Sequence, residues 1–530
     1  MVIGFVLFHH YWSISHVPPV MDGSEHVAAI GNLGLLLNGG EWTKYFSDLA
    51  LDGNNFLSNF YFSLFSAVIG PGRIAWGWGW VVAVILLTVS CLRLCRDRRI
   101  PFILALAFLI LASPLIEREG GILNQRVDGF SVLILIVMLT AMLNKRWTVA
   151  AFLTFFAVLA KGVALPICLI AWSTAFLTKI VQPKELFIEL KTYKTYWITV
   201  AILSFCYSWA WLRPVINYNL LALRNSHSES HSMLSLVQAN LIPGLQFYLK
   251  SLLNRNILTF VLCGTSILII GKSYKQTEIN RRILNWGLLF FLGTLCIFSS
   301  HPVLSSVLLV WMTPCIYILG FALASTIVNK WQPNQNQLKI CVVILALFSG
   351  GFIGYQNYGR NLFSINLKSF EQWNQVRRIT NEISTIILSS KTLSHLHPSQ
   401  KDLYLYPNFL VSIASNFELN YDVFRVLIFE RLGKKSPYLR GWELGTRSDN
   451  WRAEISANGA NIPALALLLY GEKVKVFPYH PIGLISNLVK TSMDLMKCTP
   501  EKLSDLDLKN MGTFLVYSTN ATMSQCGFPK

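Results

Sequence analysis

Charged residues are scarce in this chain. Asp, Glu, Lys and Arg make up 14% of its 530 residues, whereas a soluble domain has about 25%. Hydrophobic residues account for 53%, and the mean hydropathy is +0.46. Apolar stretches of about 20 residues, long enough to cross a hydrocarbon core, recur up to about residue 356. The composition excludes an ordinary soluble enzyme and predicts a polytopic α-helical membrane protein with about 11 transmembrane helices.

Several common signatures are also missing. The sequence has no glycine-rich phosphate loop, no internal repeat and no low-complexity stretch, and its 10 cysteines have no metal-ligand spacing. Most of the cysteines lie in or beside apolar spans, where cysteine behaves as a small hydrophobe. Cys498 and Cys526 fall in the polar C-terminal region, where an oxidising compartment would allow one disulfide. We therefore expect neither a metal nor another cofactor.

Acidic residues are fewer than basic ones, 27 against 45, so the formal net charge is +18. Such an excess also occurs in nucleic-acid-binding proteins. Here, however, the basic residues of the membrane half crowd every second connection between spans, which is the positive-inside pattern. The basic connections are 93–99, 145–146, 184–194, 272–282 and 330–339. We therefore predict a plasma (inner) membrane protein without a nucleic-acid partner, whose other connections lie outside.

The N-terminal segment differs from the other spans. Met1–Phe8 is apolar but too short to cross a membrane, and no signal-peptide pattern is present. We interpret it as a truncated or unusually short first helix with its N-terminus inside. The histidines that follow have a spacing that fits no strong ligand pattern, so no metal is expected there. They are His9, His10, His16 and His26.

Beyond residue 356 the chain becomes polar. Strand-like runs alternate there with helix-like segments, a pattern typical of a small α/β domain. The runs are 402–407, 474–478 and 513–517, and the helical segments are 366–389 and 481–496. We therefore predict a transmembrane domain over 1–356 and an extracytoplasmic soluble domain over 357–530.

Asp22 and Glu25 are the first candidate site residues. They follow Pro18 and Pro19, which end the preceding helix. One interpretation is a capping box, with Asp22 as the N-cap and Glu25 three residues later. The other is catalytic: a carboxylate at the membrane boundary can accept a proton from a substrate hydroxyl. One residue can perform both roles.

Arg126, Asp128 and Lys161 are the other prominent polar residues of the predicted outer connections. Asp128 could complement a helix dipole, with Arg126 as its ion partner. Lys161 stands between two apolar runs with little loop around it. A lysine at membrane depth costs about 2.5–3.5 kcal/mol and usually faces a protein interior or a polar cavity, although it can also snorkel to the interface. A cation at this depth suits a phosphate carried on a lipid.

The order of these elements resembles the GT-C superfamily of membrane glycosyltransferases. It is most similar to the protein O-mannosyltransferase and aminoarabinose-transferase branch, in which the last element commonly reads Leu-Thr-Lys-Gly before apolar residues and a proline. The corresponding run here is Leu159-Ala-Lys-Gly-Val-Ala-Leu-Pro166. The resemblance covers about 1–356. It departs where the branch often has adjacent Asp-Glu, because Gly23 follows Asp22 here.

The resemblance implies a GT-C-like fold and a sugar donor linked to a polyprenyl phosphate. Asp22 would be the general base on an acceptor hydroxyl, giving direct displacement with inversion, and Glu25 would be the second catalytic candidate. The acceptor would be a lipid, a glycan or a protein. Cations would stabilise the negative charge on the leaving phosphate, and Asp128 would orient Arg126. The candidate cations are Lys161, Arg126, Arg213 and Arg224.

Three other functions share part of this pattern. A transporter or flippase for lipid-linked saccharides usually has repeated halves and broken helices, and no repeat is found here. A polysaccharide polymerase or ligase uses similar donors but relies on a large outer loop with arginines, whereas the loop at 213–245 is modest. A non-catalytic membrane scaffold would tolerate substitution of Asp22.

Overall fold

The computed structural model describes most of the chain up to residue 331 and separate segments beyond it. The described ranges are 21–51, 55–95, 99–112, 126–206, 233–255, 257–272, 278–300, 306–331, 408–412, 421–436, 439–443, 466–471, 501–508 and 512–519, with short helical pieces between 336 and 385. The predicted strands at 402–407 and 474–478, the helix at 481–496 and the cysteines Cys498 and Cys526 lie outside the described residues.

The described part of the membrane half is helical. In chain order its helices are α1 (Met21–Asn38), α2 (Trp42–Leu51), α3 (Phe56–Ile69), α4 (Arg73–Leu94), α5 (Arg99–Ala112), α6 (Asp128–Leu143), α7 (Trp147–Ala160), α8 (Ala164–Leu177), α9 (Pro183–Thr192), α10 (Lys194–Cys206), α11 (Met233–Arg255), α12 (Ile257–Lys272), α13 (Glu278–Ser299) and, after a 3-10 helix at Ser306–Met312, α14 (Thr313–Trp331).

Three of these segments are long and apolar enough to cross a membrane: α4, α13 and Leu308–Asn329, which joins the 3-10 helix to α14. Others are apolar but shorter, such as α6 with 16 residues and α7 with 14. At about 1.5 Å per residue, such helices extend about 20–25 Å. The chain is therefore a largely helical protein with membrane-spanning character, and the count of about 11 spans stays a prediction.

The segment Leu308–Asn329 is almost wholly enclosed by other helices. Its Tyr317 is fully buried, and its hydroxyl lies 2.7 Å from the hydroxyl of Thr140 in α6. Thr140 in turn donates to the carbonyl of Ile136 at 2.7 Å. Since a hydroxyl within hydrocarbon needs a partner, such interhelical hydrogen bonds fix how these helices face one another.

The strands of the C-terminal region form one mixed sheet. They are β1 (Asn408–Ser412), β2 (Leu439–Glu443), β3 (Ala466–Gly471), β4 (Glu501–Leu508) and β5 (Gly512–Thr519), arranged in the order β2-β1-β3-β5-β4. β1 pairs in parallel with β2 and β3, and β5 pairs antiparallel with β3 and β4. Helix α15 (Tyr421–Leu432) connects β1 to β2, because parallel neighbours need a crossover connection.

By their contacts the residues divide into two units. One contains 52–58 and 80–363, and the other contains 7–51, 59–79 and 364–530. The second unit therefore joins α1 and α2 to the strands and α15. The predicted boundary between residues 356 and 357 lies outside the described residues and stays a prediction.

The packing of α11 against α13 can be tested with two glycine substitutions. A Cβ added at Gly244 in α11 would overlap the backbone carbonyl of Ser299 in α13, whereas a Cβ added at Gly264 in α12 would meet no atom within 4 Å. A backbone carbonyl cannot move aside in the way that the end of a flexible side chain can. Gly244→Ala should therefore destabilise the protein by about 1–3 kcal/mol, measured as a lower thermal midpoint in detergent.

The control is Gly264→Ala, which should leave stability unchanged or raise it by up to about 1 kcal/mol, since alanine is the better helix former. Equal midpoints for the two variants would contradict the packing of α11 against α13.

Candidate functional site

Asp128 is the most tightly held polar residue of the predicted site. It begins α6, and its side chain is 2% exposed. Its Oδ2 accepts a hydrogen bond from Arg126 Nε at 3.1 Å, and its Oδ1 accepts one from Trp311 Nε1 at 3.2 Å. The helix N-terminus also favours a negative charge at this position. The carboxylate thus contacts the Arg126 guanidinium at the start of α6.

Lys161 lies in the turn between α7 and α8. Its amide donates to the carbonyl of Ala157 at 3.1 Å, and its own carbonyl accepts from the amide of Ala164 at 2.9 Å, so the turn is tightly closed. The residue as a whole is 8% exposed. Within the described part of the chain, its ammonium has no carboxylate at ion-pair distance. Among the residues that the structure describes, the ammonium is therefore held without a neutralising carboxylate.

Asp128 and Lys161 lie at the same end of the α6–α7 pair. Ser131, one turn into α6, donates a 2.8 Å hydrogen bond to the carbonyl of Ala157 in the last turn of α7. Ser58 of α3 donates to the carbonyl of Ala160 at 2.6 Å and holds the same end of α7. These contacts bring the start of α6 beside the turn that carries Lys161.

The opposite end of this helix pair is built differently. It carries the basic turn Lys145-Arg146, and Lys145 pairs with Glu185 of α9 at 2.6 Å. Glu189 accepts hydrogen bonds from the amides of Trp147 and Thr148, which begin α7, at 3.0 and 2.9 Å. The polar residues of the candidate site are thus separated by the length of a helix from the basic connection.

The set formed by Arg126, Asp128 and Lys161 has one positive charge in excess. A guanidinium fixed by a buried carboxylate and an ammonium in a shielded position are suited to bind a phosphate, because the attraction grows where water is excluded. Such preorganised charge also stabilises negative charge that develops on a leaving group. The arrangement can therefore bind an anionic group and assist its departure.

Asp22 lies in the first turn of α1, whose described range begins at Met21, and Glu25 follows in the next turn with an exposed side chain. Asp22 belongs to one contact unit, and the set around Lys161 belongs to the other. Arg213 and Arg224 lie outside the described residues. Of the predicted cations, the structure therefore brings Arg126 and Lys161 to one helix end.

Trp311 and Ser58 were not predicted as site residues. Trp311 is fully buried in the 3-10 helix, within the apolar run Val307–Met312. The sequence signal that could have identified Trp311 is chemical, because a buried indole N–H requires an acceptor. Among the described residues, no group of three or more His, Cys, Asp or Glu side chains could hold a metal ion.

The hydrogen bond from Trp311 to Asp128 predicts a specific defect. If the site binds the polyprenyl phosphate that the sequence resemblance implies, Trp311→Phe should lower that affinity about tenfold or more, because a hydrogen bond to a charged group contributes about 1.5–3 kcal/mol and its loss frees the Asp128–Arg126 pair. Affinity is measured by titration of the purified protein.

Trp286→Phe is the matched control, because its indole donates to the neutral carbonyl of Ala171 at 3.0 Å in a buried position of α13. This variant should lose stability but keep its affinity. An equal loss of affinity in both variants would contradict the role of Trp311.

Comparison with known proteins gives a distant likeness. No family model and no curated protein matches the sequence. The structure of ArnT from Cupriavidus metallidurans bound to undecaprenyl phosphate is 10% identical, with a TM-score of 0.43 over 98% of this chain and 97% of that chain. The apo structure of the same protein is 11% identical, with a TM-score of 0.44 over 100% and 98%.

Proposed function

We propose that this protein transfers a sugar from a polyprenyl-phosphate donor to an acceptor hydroxyl at the outer face of the plasma (inner) membrane. The observation that carries the proposal is the paired cationic site: Arg126 fixed by Asp128, and Lys161 shielded at the same helix end. A lipid-linked phosphate presents its anionic group at this depth. The basic turn at the far end of α6 and α7 supports an outward-facing site, because short basic connections stay inside.

The reaction is a direct displacement. Asp22 accepts the proton of the acceptor hydroxyl as its oxygen attacks the anomeric carbon, and the bond from that carbon to the phosphate oxygen breaks with inversion. The electron pair leaves with the polyprenyl phosphate, so the cations act where negative charge develops.

Lys161 and Arg126 bind the phosphate in this proposal, and Asp128 orients Arg126. Arg213 and Arg224, in the long connection before α11, are further candidates for the same phosphate. Glu25 remains a second catalytic candidate beside Asp22. The acceptor is a lipid, a glycan or a protein, and the C-terminal region over 357–530 is proposed to lie outside with the site.

Photolabelling tests the binding part of the proposal. A diazirine analogue of undecaprenyl phosphate should label peptides from the start of α6, the α7–α8 turn and the 3-10 helix. Undecaprenyl phosphate should prevent labelling, whereas undecaprenol, which lacks the phosphate, should compete at least about tenfold less well, because the ion pairs are lost. Equal competition by the alcohol would overturn the assignment of these cations.

A further inference from the structure

A buried ion pair joins two distant parts of the sequence within the second contact unit. Arg73, the first residue of α4, is fully buried and meets Glu430 of α15. Its Nε donates to Oε1 at 2.5 Å and its Nη2 donates to Oε2 at 2.8 Å. The backbone amide of Arg73 also donates to Oε1 at 3.3 Å. A bidentate contact of this kind fixes the orientation of the two side chains as well as the distance between them.

The backbone before Arg73 is shaped to receive Glu430. Gly72 has φ = +129°, a conformation that other residues rarely adopt, and a Cβ there would lie 2.9 Å from Glu430 Cγ. Gly70 also has a positive φ, of +115°. Both the turn and the close approach of Glu430 thus depend on glycine.

The neighbouring residue connects α15 to α1. Phe429 is fully buried, and a Cβ added at Gly31 of α1 would lie 2.8 Å from its Cε2 and 3.2 Å from Pro71 Cβ. Successive residues of α15 therefore contact the middle of α1 and the start of α4. Gly31 lies nine residues after Asp22 in one continuous helix, which corresponds to about 13 Å along its axis.

We infer that Glu430 is a positioning residue for the proposed transfer, holding α1, and with it Asp22, through its ion pair with Arg73 and the adjoining contact of Phe429 with Gly31. The inference rests on the proposed role of Asp22. Because α1 is one continuous helix, a change of its tilt at Gly31 also displaces its first turn, which contains Asp22. A base displaced by about 1 Å loses about a hundredfold in rate, although Glu430 itself touches no reacting atom.

Glu430→Gln tests this inference, because glutamine keeps the size and one acceptor but removes the charge. We expect kcat to fall about tenfold to a hundredfold, while KM for the donor changes little, because Arg126, Asp128 and Lys161 belong to the other unit. Hydrogen–deuterium exchange at the amides of α1 should become faster, since α1 loses its restraint.

Glu278→Gln is the matched control. Glu278 pairs with Arg282 four residues later on α13, and its side chain is 78% exposed. This variant should keep wild-type kcat and wild-type exchange in α1. A folded Glu430→Gln protein with unchanged kcat and exchange would overturn the inference, as would an equal loss of kcat in the control.

Two further results distinguish a failure of the positioning role from a failure of the proposed function. If Glu430→Gln fails to fold, Glu430→Asp retains the charge but shortens the reach to Arg73, and the same slower turnover and faster exchange are expected. If the wild type transfers no sugar, the proposed function fails, and the exchange data still decide whether Glu430 holds α1. Unchanged exchange in α1 would then overturn the positioning role as well.

Discussion

Asp22→Asn is expected to reduce sugar transfer by about 10²–10⁴-fold while leaving donor binding unchanged. Asparagine has nearly the same size but cannot accept the proton of the acceptor hydroxyl, and general base catalysis contributes a factor of this order. Because the proposed donor contacts are made by Lys161 and Arg126, the affinity for polyprenyl phosphate should stay within about twofold of wild type. Transfer is followed with a radiolabelled donor, and affinity by titration.

Asp48→Asn provides the control for this variant. Asp48 lies in α2 of the same contact unit and pairs with Lys44 at 2.9 Å. A pair of this kind, four residues apart on one helix, contributes only about 0.2–0.5 kcal/mol, so this variant should transfer sugar at the wild-type rate. Wild-type transfer by Asp22→Asn would remove Asp22 from the reaction and leave Glu25 as the catalytic candidate.

Lys161→Met is expected to lower kcat by about 10²–10³-fold, the usual effect of removing one preorganised group that stabilises developing charge. Methionine retains an unbranched apolar side chain of similar length, so the turn between α7 and α8 should persist. The affinity for polyprenyl phosphate should also fall, because the ground-state donor already carries a phosphate charge. Single-turnover kinetics at saturating donor separates the two effects.

Lys191→Met, in the last turn of α9, is the control for Lys161→Met. Its lysine is exposed, and it lies in the connection predicted to face inside. Transfer and affinity should equal those of the wild type. If Lys161→Met keeps wild-type kcat and affinity, Lys161 is a snorkelling residue, which was the alternative interpretation of the sequence.

The local parts of this structure could be predicted from sequence. The tight pair α7–α8 with its turn at Lys161 is confirmed, because two apolar runs with one charged residue between them leave little choice of turn position. The ion pair of Arg126 and Asp128 is likewise confirmed, because side chains two residues apart at the start of a helix can lie close together. β5 contains the predicted run 513–517, which is rich in the β-branched and aromatic residues that favour strands.

The distant contacts could not be predicted. The capping-box interpretation of Asp22 and Glu25 implied the start of a helix, but no local pattern showed that the apolar residues of α1 from Val27 to Leu36 are mostly buried. The contact of Arg73 with Glu430 joins residues 357 positions apart, and the contact of Trp311 with Asp128 joins residues 183 apart. Neither has a local pattern, so both required the packed structure.

Donor turnover by the purified protein tests the central proposal most directly. A panel of radiolabelled polyprenyl-phosphate sugars is incubated with the protein and a crude membrane extract that supplies acceptors, and release of free polyprenyl phosphate is measured together with labelled product. We predict that at least one donor is consumed over many turnovers, with equal amounts of sugar transferred and carrier released. If every donor stays intact while the same protein in vesicles moves a lipid-linked sugar across the bilayer, the protein is a transporter and the enzymatic account is contradicted.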